Sequence, residues 1–514
     1  MIEPTQAKKG ESDVQVKLNI FAVPSENIAP MEEKFETVGL KSIHNGVQAG
    51  WKTTFYFSID EEPNPIPWVG TFADFFGDTD FHNLIYFGAY LFQKEDRCFV
   101  LTYGKSHFYA RPFCDHDFGI EVAKRIADEN DIKQTASKKF AGKKKKEIKS
   151  YTSNTPLDIE SGESVDYIKA AIELHAREEF GPSGKFGSSV LLNVPTGKDE
   201  IGDLLDKLTA LLESDARFAL PRTTVITDET EVHKYNGKLL AAITSDQELA
   251  GFTHSGHDIV GVDFVFSGNE KFTLSCRGHK QVELGDREFD LPTLRSYISS
   301  EHIDADDILK IRIRIDNEGQ RSYSKPLKEA LDFIVDGENI MLSQGRWVRF
   351  NEDYVSQLND YLDSIAIEPT EPELRGIHMP EPAFNKSDTI RKLGYVVADK
   401  DFSKIRTRLS TPIEAWDLHR DDTVYAVKFG TAQKLGYVCD QAIAVLEIIR
   451  NNANVKKLNH EVKIYCLWLG LKLQHLPERL SDSNSIILKQ KIEAWARRCR
   501  ELGIEPRIKL SLRQ

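Results

Sequence analysis

Apolar and polar positions alternate in short runs along the first quarter of the chain. Residues 16–23 (VKLNIFAV), 53–59 and 98–103 combine β-branched and aromatic side chains at near-period-two spacing and predict strands; 81–92 predicts another strand or a strand pair. Residues 119–127 predict a short helix. Farther on, 165–179 has a helical pattern, 189–194 reads as a strand, and 201–214 carries Leu204, Leu205, Leu208, Leu211 and Leu212 on one stripe, the signature of a core-facing helix. Residues 259–266 predict a mostly apolar strand, and 309–315 alternates strictly, with one basic face. Residues 333–342 predict a hairpin around Asp336-Gly337, 345–350 a strand and 353–365 a helix.

Two stretches break the periodicity. Residues 128–160 hold Lys138, Lys139 and the run Lys143, Lys144, Lys145, Lys146, then a Ser/Thr/Asn-rich turn. They predict an exposed linker or mobile loop, either solvated or in contact with phosphates. Residues 366–382 hold Pro369, Pro372, Pro380 and Pro382 and predict a linker. The expected organisation is multi-domain α+β: a domain at 1–127, the basic stretch 128–160, a helix-strand-helix segment at 161–225, a mixed middle domain at 226–375 and a compact α/β domain at 376–514.

Length agrees: 514 residues are enough for several cores. With 40% hydrophobic and 29% charged residues and a mean hydropathy of -0.40, the composition is that of a globular protein. No apolar run is long enough to span a bilayer, and the polar start Met1-Ile2-Glu3-Pro4 lacks a signal core, so the expectation is a cytoplasmic protein without a membrane partner. The net charge of -13 excludes a uniformly basic nucleic-acid coat. Residues 451–514, however, hold 13 Lys/Arg against 6 Asp/Glu. A basic C-terminal lobe on an acidic body fits a local polyanion site carried by Arg497, Arg498 and Arg500, or equally a helix with a solvated basic face. The six cysteines form no CxxC pair and read as reduced, mostly buried thiols.

Several motifs fail on inspection. Gly181-Pro-Ser-Gly-Lys185 lacks the spacer and hydroxyl of a phosphate loop, and its context is helix-loop-strand. His254-Ser-Gly-His257 and Cys114-Asp-His-Asp117 have ligand chemistry without a second ligand pair. There is no GxSxG elbow and no kinase signature.

The C-terminal region carries more. Residues 411–418, a turn at His419-Arg-Asp-Asp422 and residues 423–429 predict a hairpin; a helix at 439–450, a strand at 462–468, a basic helix at 488–502 and a strand at 506–512 follow. This hairpin-helix-strand-helix-strand order resembles the core of the restriction-endonuclease-like, PD-(D/E)XK, superfamily. The resemblance implies Mg²⁺ held by hairpin acids, and a lysine that stabilises charge on an attacking hydroxide and on phosphorus. Asp417 matches the first acid, Lys428 the lysine, Gln441 the helix glutamine of the exonuclease branch, and Glu381 the upstream helix acid. The departure is Ala426, where the superfamily has Glu or Asp. Glu414, Asp417 or Asp440 are the acids left to compensate, with Asp417 and Glu414 the expected metal ligands.

A second resemblance spans the chain. Leu101-Thr-Tyr-Gly-Lys-Ser-His-Phe108, Leu342-Ser-Gln-Gly-Arg-Trp-Val-Arg-Phe350, Glu381-Pro-Ala-Phe-Asn385 and Pro412-Ile-Glu-Ala-Trp-Asp-Leu418 are similar to a sporadically distributed bacterial family of unknown function. That family is associated with mobile elements and with restriction or phage-defence loci. The two resemblances imply a defence-associated nuclease or nuclease-like effector acting on DNA or RNA. The alternatives are a catalytically inactive nucleic-acid reader and an interaction component working with a partner protein from the same locus.

Overall fold

The computed structural model describes residues 16–59, 64–77, 81–139, 145–244, 260–264, 270–285, 291–317, 323–335, 338–397, 416–430, 432–451, 462–471, 475–483 and 485–513. The fold is mixed α+β and divides into two units. The first comprises Met1–Lys138, Lys146–Ile159 and Val165–Leu220, and the second Lys139–Lys145, Glu160–Ser164 and Pro221–Gln514.

The first unit is built on one ten-stranded sheet. Its strands are β1 (Val16–Val23), β2 (Lys41–Gln48), β3 (Trp51–Ile59), β4 (Tyr86–Lys94), β5 (Arg97–Tyr103), β6 (Ala127–Lys139), β7 (Lys145–Thr155), β8 (Glu163–Ile172), β9 (Ser183–Phe186) and β10 (Val190–Val194), in the order β2-β3-β4-β5-β1-β10-β9-β8-β6-β7. Strand β1 is central, with Ile20 opposite Leu101 on one side and Val190 on the other. Its alternation sorts the two faces. Leu18 and Ile20 pack with α2 (Phe118–Ile126) and α3 (Ile201–Leu212), whereas Phe21 and Val23 pack with Met31 and Phe35 of α1 (Ile28–Thr37). The leucine stripe behaves as predicted, with Leu204, Leu205 and Leu208 buried.

Two expectations give way here. The helix predicted at 165–179 is instead strand β8 followed by short helical turns. Its Val165, Ile168 and Ile172 fit a helix face, but Ile168, Ala170 and Ile172 alternate as one face of a strand, and sheet neighbours on both sides decide the outcome. The stretch 128–160 is mostly strands β6 and β7 rather than a linker. Ile132 and Ala136 are buried, and Asp166 pairs with both Lys138 and Lys146, at 3.3 and 2.7 Å.

The second unit opens with two smaller antiparallel sheets. One contains β11 (Thr223–Val225), β12 (Val260–Phe264), β17 (Leu331–Val335), β18 (Ile340–Ser343) and β19 (Arg346–Phe350), in the order β11-β19-β18-β17-β12. The other contains β13 (Glu270–Ser275), β14 (Val282–Gly285), β15 (Arg312–Asn317) and β16 (Tyr323–Pro326), in the order β14-β13-β15-β16. The predicted hairpin is the β17–β18 pair, while Asp336-Gly337 lies outside the described residues. Helices α4 (Glu229–Thr244) and α5 (Leu291–Ser300) cover these sheets, and α6 (Glu352–Asp363) leads on.

The C-terminal sheet positions the candidate site. Its strands are β20 (Ala366–Glu368), β21 (Gly376–Ile377), β22 (Val396–Val397), β23 (Leu418–Arg420), β24 (Thr423–Gly430), β25 (Ile464–Leu471) and β26 (Glu505–Arg513). The order is β20-β26-β25-β24-β23-β22, with β21 also on β26. Strands β24, β25 and β26 are mutually parallel, and β23 is antiparallel to both β22 and β24. Helix α8 (Ala432–Asn451) connects β24 to β25, and α9 (Ile486–Glu501) connects β25 to β26, so the order hairpin-helix-strand-helix-strand is present. The hairpin's first strand, however, runs into residues 419 and 420, expected to turn, and 411–415 lie outside the described residues. Both faces are covered, which explains the continuous apolar runs of these parallel strands. Val424, Ala426, Tyr465, Leu467 and Leu469 face α8, α9 and α6; Tyr425, Val427, Phe429, Cys466 and Trp468 face the 374–395 segment. The proline-rich stretch 366–382 is therefore no linker: β20 and β21 form the sheet's edge, where a residue without an N–H is tolerated. All six cysteines are buried and unbridged. No helix among the described residues is long and apolar enough to cross a membrane.

Candidate active site

Strand β24 outruns its hairpin partner. The β23–β24 ladder pairs Leu418 with Tyr425, and Asp417 N–H still donates to the Tyr425 carbonyl at 2.9 Å. Beyond that point two carboxylates take the edge N–H groups of β24. Asp417 Oδ2 accepts from Val427 N–H at 2.8 Å, and Glu381 Oε2 accepts from Phe429 N–H at 3.2 Å. Glu381 Oε1 also meets Lys428 Nζ at 3.2 Å, with the two side chains 20% and 27% exposed. Three of the sequence-predicted residues, Asp417, Glu381 and Lys428, thus converge on one strand end.

Helix α7 (Glu381–Asn385) sets this geometry. Pro380 and Pro382 pre-form its first turn. Phe384 anchors it, with its ring centroid 4.9 Å from Phe429 and 5.2 Å from Trp468. The Phe429 ring needs Gly470 beside it, because a Cβ there would lie 2.3 Å from the ring. From the end of α7, Asn385 Nδ2 donates to Asp417 Oδ1 at 3.3 Å. Asn385 has no place in the sequence-derived set of site residues, although it ends the Glu381-Pro-Ala-Phe-Asn385 stretch that carries the family resemblance.

The other predicted residues lie elsewhere. Ala426 is 6% exposed and packs among Leu435, Val438, Cys439 and Ala442. A carboxylate at that position would point into an apolar core, so the strand itself excludes the missing acid. Gln441 is exposed on α8; Asp440, also exposed, pairs with Lys491 at 3.3 Å. Glu414, Lys143 and Lys144 lie outside the described residues, as does the side chain of Lys145. Asp417 and Glu381 present hard oxygens of the kind Mg²⁺ takes, while no three His, Cys, Asp or Glu side chains among the described residues are grouped to hold an ion.

The three arginines already hold partners. Arg497 meets Glu160 at 2.8 Å and Glu493 at 3.1 Å. Arg498 meets Glu447 at 3.0 Å and Glu501 at 2.5 Å. Arg500 donates to Ser364 Oγ at 3.0 Å and lies over the Tyr361 ring. Around Arg497, Lys139 pairs with Glu160 and lies 3.5 Å from Glu163. Glu493 is 1% exposed; burial pushes its carboxyl up to about 7 even though Arg497 and Lys139 pull it down.

Beneath the sheet, on the Trp468 side, lies a second polar group that sequence reading missed. Lys509 on β26 is fully buried. Its Nζ lies 2.9 Å from Glu368 Oε1, 2.8 Å from Glu371 Oε2, 2.8 Å from Tyr395 Oη and 4.8 Å from the Trp468 ring centroid. Arg420 pairs with Glu371 at 2.8 Å, and Tyr425 Oη donates to Glu368 at 3.1 Å. Two cations balance two carboxylates. Burial alone would raise Glu371, but hydrogen bonds from Lys509 and Arg420 outweigh it and hold its carboxyl at about 2.

Residues 22–466 match the model of a family described as a family of unknown function, DUF6119. The chain belongs to that family. Searches among curated proteins and among solved structures give no match. The DUF6119 match covers all of the first unit from Ala22 onward and runs through β24 to the middle of β25, so Glu381, Asn385, Asp417 and Lys428 all fall inside it.

Proposed function

We propose that this DUF6119 protein is a defence-associated nuclease or nuclease-like effector whose C-terminal sheet acts on phosphodiesters of DNA or RNA with a divalent metal. The observation that carries the reading is the convergence of Asp417, Glu381 and Lys428 at the end of β24. The hairpin-helix-strand-helix-strand order supports the nuclease-like assignment. The defence setting rests on the family resemblance alone. Mg²⁺, when bound, would supply Lewis-acid stabilisation of a developing oxyanion. Asp417, fixed by the Val427 N–H, would hold the ion, and Glu414 belongs to the same proposal. Glu381 orients Lys428, whose ammonium would stabilise charge building on the phosphate oxygens. Phosphate contacts by Lys143, Lys144 and Lys145, by Arg497 and Arg498 after exchange of their carboxylate partners, and by Arg500 after release of Ser364, are part of the same reading.

The test is incubation of the full chain with plasmid DNA, single-stranded DNA and RNA, each with Mg²⁺, Mn²⁺ or EDTA. Metal-dependent cleavage is expected, reduced roughly 10²- to 10³-fold in Lys428→Ala. Cleavage that persists in EDTA, or that is unchanged in both Lys428→Ala and Asp417→Ala, would overturn the assignment.

The buried Ala426 favours a second reading, a catalytically inactive nucleic-acid reader in which Asp417 and Glu381 serve to cap the β24 edge. Salt-sensitive binding without cleavage would select it. A partner protein from the same locus is compatible with either reading.

A further inference from the structure

Asn385 has an atom that the fold leaves unused. The residue is 8% exposed, and its Oδ1 is buried without a hydrogen-bond partner among the described residues. Buried amide oxygens are nearly always paired, so an orphan beside a carboxylate calls for a physical reason. The same amide faces Asp417: Nδ2 lies 3.3 Å from Asp417 Oδ1, at the long end for a hydrogen bond. Asn385 also closes the turn that Glu381 opens, and the two share a helix face. Across from them, Ala426 removes the acid that a hairpin metal site would otherwise use. No three His, Cys, Asp or Glu side chains among the described residues are placed to hold an ion. Among the described residues, a cation held at the end of β24 would draw on a neutral oxygen as well as carboxylates.

The geometry points to Asn385 as a metal ligand, its amide oxygen standing in beside Asp417 for the carboxylate absent at Ala426, with Glu381 on the same helix face. The inference rests on the metal-dependent reading above and names the residue that makes it workable. A half-turn of the amide exchanges Nδ2 and Oδ1 and brings two oxygens to the separation now spanned by the hydrogen bond. Oxygens on adjacent vertices of a Mg²⁺ octahedron lie about 3 Å apart. Two oxygens at that separation repel each other, whereas a divalent ion between them would favour the arrangement. Amide oxygens are ordinary ligands of hard cations.

The test is Mn²⁺ binding to the full chain, read from the loss of the free-ion EPR signal and so independent of turnover. Wild-type protein is expected to take up Mn²⁺, and Asp417→Asn to lose it. Asn385→Leu should weaken binding by about tenfold or more, and Asn385→Asp should tighten it by adding charge. Circular dichroism establishes that each variant is folded; should Asn385→Leu fail to fold, Asn385→Asp carries the test. Uptake lost in Asp417→Asn but unchanged in the folded Asn385 variants overturns the inference and leaves the metal reading standing. No uptake by the wild type overturns both.

Discussion

Replacing Lys509 by alanine is expected to destabilise the second unit by about 3–5 kcal/mol, the cost of leaving a buried charge without its partner. Lys509 is fully buried, so its ammonium gains nothing from water and depends on Glu368, Glu371 and Tyr395. Its removal leaves two carboxylates to share Arg420, which meets them at 2.8 and 3.5 Å. It also leaves a void against Trp468. Lys509→Met, which restores most of the volume but not the charge, should remain strongly destabilised, and the difference between the two variants separates packing from electrostatics. Urea unfolding of the full chain followed by tryptophan fluorescence measures both. A shift below about 1 kcal/mol in Lys509→Met would show that the network is dispensable. The network also has an acid limit. Because folding depresses the Glu371 carboxyl to about 2, its contribution is present above the ordinary carboxylate range and is lost as pH falls toward 2.

Glu493 behaves in the opposite sense. Burial raises its carboxyl to about 7, so the folded state prefers the neutral acid. Its contribution is complete below the unfolded value near 4.5 and is lost as pH rises through 7. Across that whole window the group is expected to change stability by about 3 kcal/mol, and between pH 8 and pH 6 by roughly 1.4 kcal/mol. Glu493→Gln should therefore be more stable than wild type at pH 8 and lose this part of the pH slope. Thermal or urea midpoints at pH 6 and pH 8 for the two proteins provide the comparison. Equal slopes would mean that Arg497 and Lys139, against the repulsion of Glu160, already hold Glu493 ionised throughout.

Much of this architecture is legible in the sequence. The strands at 16–23 and 98–103, the leucine stripe of α3 and the C-terminal order from β23 to β26 follow directly from apolar periodicity. Asp417, Lys428 and Glu381 could be named together only through the resemblance to the restriction-endonuclease-like superfamily, since the chain leading into Glu381 reads as a linker. The failures have physical causes. Strand β8 has a helix-compatible pattern, and only its sheet neighbours decide its state. The prolines at 369 and 372 signal a break, which is correct, but the broken chain still lines a sheet edge. Asn385 and Lys509 were missed for a common reason. Each is a polar residue whose importance lies in burial against partners distant in sequence, and no local spacing reports such contacts. A lysine within the run Ile508-Lys-Leu510 of a parallel strand was nevertheless a signal, since both faces of such a strand are covered.

The placement of β26 has a consequence for the order of synthesis. This strand lies between β25 and β20, and its Lys509 is 141 residues from Glu368. A ribosome emits β20, Glu371, Arg420 and the Asp417–Lys428 hairpin well before it emits the strand that joins them. Until then the two carboxylates lack one of their cations, and β20 has no ladder to join. Pairing across such separations is slow to form. The edge strand β20 and the buried Glu368–Glu371 network therefore stay incomplete on the nascent chain until β26 has been released.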